Sequence, residues 1–300
     1  MAETHKLRTS EILPKTQTYT NWNKEAEARA KACSPAPLPS LDHLKLSDYD
    51  HVYEPSDDTY LMLDALGYDF DNDSCDSNDN DDNQGNNIIS SDGVMTTLEI
   101  GCGTGVNTIY LANLFRKKRQ KQCNKNTESD TKVQVSDIHI VTDINQHAIE
   151  ITKQTARHNN IPINTTITNN NDNDDTNTTF QTLLCDIATP LLQTHARKMD
   201  VIIFNPPYVP TPNDEVGSNG IEASWAGGTD GRLVIDRALP QIASLLSYPH
   251  GAVYMITVDD NKPEEIANIM MEKYGIRVIP YLRRRARNEF LTVLKMTFCV

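Results

Sequence analysis

The chain has 300 residues, a formal net charge of −13 and 38% hydrophobic residues. That length suits one large domain or two small ones, and the acidic balance lacks the basic footprint of a nucleic-acid-binding surface. No apolar run reaches the roughly 20 residues of a membrane helix, and MAETHKLRTS has no apolar core of a secretory signal, so no membrane association is expected. The six cysteines form no CxxC pair, so neither a metal site nor a disulfide framework is expected; the compartment implied is cytoplasmic, with the nucleus also open.

Residues 1–45 read as a polar, disordered N-terminal tail containing Pro35, Pro37 and Pro39. A short helix over Asn21–Ala32 fits the composition, but nothing in the sequence shows it packing. Residues 46–300 read as one domain interrupted by polar stretches near 69–92, 116–134 and 164–179. The first holds eight Asp and no Lys or Arg. Such compositions bury too little apolar surface to offset chain entropy, so all three are expected to be disordered loops. Spacing excludes a calcium loop: counted from Asp69, Ser74 stands where the turn glycine is required and Asn80 where the closing glutamate is required.

Between these stretches strands and helices alternate. Val94–Ile100 reads as a strand, Gly105–Phe115 as a helix, Ile138–Asp143 as a strand and Asn145–His158 as a helix capped by Asn145. Phe180–Cys185 and Met199–Phe204 are apolar strands, Asp230–Leu246 is a helix, and Gly251–Val258 a strand. Pro263–Tyr274 is a helix opened by proline; Ile276–Tyr281 and Phe290–Phe298 close the chain as strands. This alternation predicts a seven-stranded, mostly parallel α/β sheet with helices on both faces. The last two strands have no helix between them and should form an antiparallel hairpin at one edge.

Two loops carry the chemistry. LEIGCGTG places Gly101, Gly103 and Gly105 at the carboxyl end of the first strand, where open α/β sheets bind ligands. The spacing is GxGxG rather than the dinucleotide GxGxxG, and Glu99 precedes it. Asp143 ends the next strand and has the chemistry to accept from two ribose hydroxyls, at about 1.5–3 kcal/mol for each charged bond. Asp186 ends a third strand and is suited to an adenine amino group, with Ile187 covering the ring. Helix capping is the alternative for each acid taken singly. The second loop is Asn205-Pro206-Pro207-Tyr208, directly after an apolar strand. Its prolines stiffen the backbone and remove two N–H donors. The Asn205 side-chain oxygen and the Pro206 carbonyl are then free to accept from one planar NH2 group, with Tyr208 against its plane. Accepting both N–H bonds aligns a poorly nucleophilic nitrogen and favours the positive charge that grows on it during attack.

Together LEIGCGTG and NPPY resemble HemK-type glutamine methyltransferases, whose fold is the Rossmann-like class I methyltransferase sheet. VYEPSDDTYLMLDAL (52–66) and VGSNGIEASWAGGTDGRLVIDRALP (216–240) resemble the short eukaryotic and archaeal branch, over about residues 49–297 apart from the polar stretches. That resemblance implies methyl transfer from S-adenosyl-L-methionine to the glutamine of the Gly-Gly-Gln loop of the class-I translation termination (peptide chain release) factor. It implies cofactor contacts at Thr59, Glu99, Gly101, Asp143, Asp186, Ile187 and Asn205, with Tyr53, Glu54 and Pro55 at the entrance. It also implies a heterodimer with a small zinc-binding activator subunit on the sheet edge, here Phe180–Cys185. Arg283, Arg284, Arg285 and Arg287 read as a solvated hairpin turn rather than a contact to the factor. NPPY alone is shared with adenine methyltransferases of DNA and RNA. That activity, lysine on histones, trivalent arsenicals and a non-catalytic binding module stay open as alternatives.

Overall fold

Seven strands form one sheet in the order β3-β2-β1-β4-β5-β7-β6. The strands are β1 (Thr96–Ile100), β2 (Ile138–Asp143), β3 (Thr179–Leu184), β4 (Val201–Phe204), β5 (Ala252–Thr257), β6 (Ile276–Ala286) and β7 (Glu289–Phe298). The helices are α1 (Tyr19–Ala32), α2 (Asp57–Phe70), α3 (Val106–Lys125), α4 (Gln146–His158), α5 (Leu233–Leu245) and α6 (Pro263–Tyr274). The structure is a computed structural model that describes residues 19–71, 93–125, 137–163, 179–217 and 221–299.

Strands β1 to β5 pair in parallel, and β7 runs antiparallel to both β5 and β6, giving the expected edge hairpin. Central strands covered on both faces read as continuous apolar runs. Every residue of VIIF in β4 and AVYMIT in β5 is buried. Ile202 and Phe204 join the core under α5 and α6, whereas Val201 and Ile203 join the core under α2 and α3. Local signals set the helix ends. The Asn145 side chain accepts from the His147 amide at 2.9 Å to start α4, Pro263 opens α6, and Gly275 closes it at φ +67°.

Several of the expected boundaries move. From Tyr19 the N-terminal stretch is ordered onto the domain. Arg29 Nη1 donates to the Tyr281 carbonyl at 2.6 Å, its guanidinium lies 4.9 Å from the Tyr281 ring, and Ala26 and Ala30 are buried. The Ala36 amide donates to Asp64 Oδ1, and the Ser40 backbone exchanges two bonds with the Asn159 side chain. Small residues and side-chain-to-backbone bonds make this seam, so composition hides it. The acidic stretch expected from 69 begins inside α2, with Asp69 and Phe70 buried; the basic stretch expected from 116 continues α3 to Lys125; Thr179 already belongs to β3. The expectations for 1–18, 72–92, 126–134 and 164–178 lie outside the described residues. Finally, Arg283 and Arg284 do not sit in a solvated turn. Both lie in strand β6, where the buried Arg283 grips both oxygens of Asp259 (2.7 and 2.8 Å) and the half-exposed Arg284 meets Asp64 at 2.7 Å.

Candidate active site

Strand order reverses between β1 and β4, and there the carboxyl ends of β1, β2, β3 and β4 open into a cavity of about 420 Å³, of the size that holds a cofactor. The Gly101 and Cys102 amides donate to the Thr142 carbonyl at 2.8 and 3.0 Å, fastening the loop after β1 to the end of β2. Gly105, at φ +79°, lets the start of α3 approach α4: a Cβ there would lie 2.7 Å from Thr152 Cγ2. A Cβ on Gly103 would meet nothing within 4 Å, so this backbone borders open space.

Three carboxylates surround that cradle in different states. Glu99 is buried and accepts from Asn107 Nδ2 at 2.9 Å, the Thr108 amide at 3.1 Å and Thr108 Oγ1 at 2.5 Å. Burial pushes its carboxyl up to about 7 against the pull of those bonds. It thus clamps the first turn of α3 while lining the cavity. Asp143 accepts from the Gly103 amide (3.0 Å) and the Asn145 amide (2.8 Å), and burial raises its pKa. Asp186 is half-exposed and ion-paired with Arg237 of α5, and the buried Ile187 follows it at φ +54°.

The opposite wall is the NPPY loop. Asn205 Nδ2 donates to Asp58 Oδ2 at 3.0 Å, and the Tyr208 hydroxyl donates to the same oxygen at 3.3 Å. Asn205 Oδ1 is buried with no hydrogen-bond partner among the described residues. Burial, and then the Asp58 charge, hold the Tyr208 phenol far above its ordinary pKa. Behind the loop, the fully buried Asn261 donates to the Tyr208 carbonyl at 2.8 Å and accepts from the Val258 amide at 2.8 Å. Gly231, at φ +64°, packs so closely that a Cβ would collide with the Tyr208 carbonyl.

Of the residues singled out from the sequence, Tyr53, Pro55, Thr59, Glu99, Gly101, Gly103, Asp143, Asp186, Ile187, Asn205 and Pro207 meet on the cavity wall. Glu54, Pro206 and Tyr208 do not line it; Pro206 is buried, and Tyr208 joins the site through Asp58. Sequence reasoning missed Asp58 and Asn261. Each acts on groups far away in the chain, so no local pattern marks either one.

An open glycine backbone beside a strand-end carboxylate, with a carboxylate and an apolar residue at the next strand end, fits an adenosyl cofactor and its ribose. Fold and site together define a class I, S-adenosyl-L-methionine-dependent methyltransferase. No family model matches the chain. It is 36% identical over 259 residues to methyltransferase HEMK2 of Homo sapiens, covering 86% of this chain and 95% of that protein. It is 30% identical over 260 residues to the eRF1 methyltransferase catalytic subunit mtq2 of Schizosaccharomyces pombe, covering 86% and 94%. Against the solved Mtq2–Trm112 complex of E. cuniculi, which methylates the eRF1 termination factor, the TM-score is 0.47 at 20% identity, over 83% of this chain and 99% of that one. The chain belongs to the HEMK2 methyltransferase family.

Proposed function

We propose that this chain methylates the side-chain amide nitrogen of the glutamine in the Gly-Gly-Gln loop of the eukaryotic class-I peptide chain release factor. The relatives named for eRF1 methylation support this reading. The observation that carries it is the buried, unpartnered Oδ1 of Asn205, an acceptor on the wall of the cofactor cavity. A buried acceptor without a donor costs about 1–3 kcal/mol, and a planar amide N–H of the substrate would satisfy it.

Gly101, Gly103, Asp143, Asp186 and Ile187 would hold the cofactor, with Thr59 and Glu99 beside them. When bound there, S-adenosyl-L-methionine supplies a methyl carbon activated by a positive sulfur. Asn205 Oδ1 and the Pro206 carbonyl accept the two N–H bonds of the amide and turn its nitrogen toward that carbon. That methyl would pass to the amide nitrogen with the carbon–sulfur electron pair leaving on sulfur, and the extra proton on nitrogen would pass to water. No strong base is needed. The acceptors stabilise the charge that grows on nitrogen, which is where preorganised dipoles act most strongly. Tyr208 stiffens this corner and lies against the amide plane. A small zinc-binding activator subunit on the β3 edge completes the enzyme, which works in the cytoplasm.

The test is methyl incorporation by the purified chain with its activator into release factor, and into factor whose loop glutamine is changed. Only the first should be labelled; equal labelling of both rejects the proposal. Asn205→Ala should lower kcat by about 10²–10³-fold, the loss typical of removing one preorganised hydrogen-bonding group.

A further inference from the structure

Asp58 is the second residue of α2 and only 3% exposed, yet it lines the cofactor cavity. Its Oδ1 accepts from the Thr59 amide at 2.7 Å, and its Oδ2 accepts from Asn205 Nδ2 and the Tyr208 hydroxyl. The two NPPY donors lie 147 and 150 residues away in sequence, so this one carboxylate joins the start of α2 to the chemical corner. Its partners among the described residues are neutral. A buried carboxylate without a cation is costly, and such local cost is usually retained for function.

We propose that Asp58 is a positioning residue that fixes which end of the Asn205 amide faces the substrate. This rests on the reading above, that Asn205 accepts from the substrate NH2. A side-chain amide has a donor end and an acceptor end of nearly equal shape, and packing alone distinguishes them poorly. A carboxylate can only accept. It therefore draws the NH2 end of Asn205 to itself and leaves Oδ1 directed away, which is the atom found buried and unpaired. The proline pair stiffens the backbone of this corner, and Asp58 sets its polarity.

This argument reverses the usual order of mutational damage. In Asp58→Asn the introduced amide has one acceptor. The Thr59 backbone N–H is fixed in the first turn of α2 and claims it. The introduced NH2 then meets the NH2 of Asn205, which turns over and presents a donor to the substrate's own NH2. In Asp58→Ala the vacated space admits water, which accepts from Asn205 and preserves its orientation in part. The isosteric variant should therefore be the worse one. Exchanging the pair, Asp58→Asn with Asn205→Asp, restores an acceptor toward the substrate, because the introduced carboxylate takes the introduced NH2 on one oxygen and keeps the other free.

The experiment is steady-state kinetics of the full chain and these three variants on release factor, with cofactor affinity measured by calorimetry. Asp58→Asn should lose on the order of 10²–10³-fold in kcat, with a smaller loss in cofactor affinity. Asp58→Ala should lose less, and the exchanged pair should recover much of the Asp58→Asn loss. An Asp58→Asn enzyme more active than Asp58→Ala, or an exchanged pair no better than Asp58→Asn, overturns the assignment. A wild-type chain inert on release factor would instead count against the substrate named above. Neutron diffraction then decides the orientation alone, by locating the Asn205 deuterons in wild type and Asp58→Asn. Deuterons facing residue 58 in the first and turned away in the second support the proposal; the same orientation in both defeats it.

Discussion

His139 is the second residue of β2 and has no exposed surface, its Nδ1 2.8 Å from Thr97 Oγ1 and its Nε2 without a hydrogen-bond partner among the described residues. Burial above all, opposed by Asp137 and helped by Arg119, lowers its pKa from 6.5 to about 4. Because the folded value lies below the unfolded one, the unfolded chain binds the extra proton between those limits. His139 therefore withdraws stability as pH falls from 6.5 toward 4, about 3 kcal/mol in all, and has no such effect above pH 6.5. Glu99, raised to about 7, works the other way: it costs stability above that pH and returns it as pH falls toward 4.5. The expected outcome is that His139→Gln, compared with wild type by urea midpoints at pH 7, 5.5 and 4.5, tilts the profile toward acid stability. Parallel profiles for the two chains would show that His139 is not the group responsible. At this scale the sequence disclosed residues whose chemistry is declared by neighbours in the chain. Asn205 beside two prolines and Asp143 at a strand end are of this kind. Asp58 and Asn261 act across the fold on groups 147 and 53 residues away, and no local pattern marks them.

Among elements, α2 is tied to the C-terminal strands by a buried polar knot. Asp69 Oδ2 meets Lys295 Nζ of β7 at 2.7 Å, and the Tyr254 and Tyr281 hydroxyls donate to the same carboxylate from β5 and β6. The side chains of Asp69 and Lys295 are 1% and 5% exposed. Removing one member of such a pair strands the other charge, so Lys295→Met should cost about 3–5 kcal/mol in chemical denaturation. Lys295→Met combined with Asp69→Asn should cost markedly less, and equal losses would show that the knot is not a coupled unit. In the sequence Asp69 opens a run of acids and was read as part of a loop. Its burial depends on partners some 200 residues later, which composition does not report. The strands and the later helices were legible because each carries its own period and end signals. Helix α1 reads from the sequence as a short helix with no sign of packing, because its seam is made by alanines and one arginine rather than by an apolar stripe.

For the whole molecule, the two edges of the sheet are treated differently. Helix α1 covers β6, while β3 lies at the opposite edge with Leu184 53% exposed and Ile144, just after β2, 38% exposed. Open edges are usually covered or charged; beyond a bridge from Ile163 to Phe180, this one ends in the exposed apolar Leu184. If the activator docks there, Leu184→Glu should abolish its capture by the tagged chain without lowering the lone chain's melting temperature. Undiminished capture would exclude that edge.

The seam between α1 and β6 also has a consequence in time. Arg29 meets Tyr281 across 252 residues, which a ribosome adding roughly 5–20 residues per second needs on the order of 10–50 s to make. During that interval the helix has no strand to lie on. A segment that must wait in solvent is safest when it offers little for other chains to stick to. Its many polar residues and its small buried alanines suit that wait, and the same economy kept its docking face hidden from a reading of hydrophobic pattern.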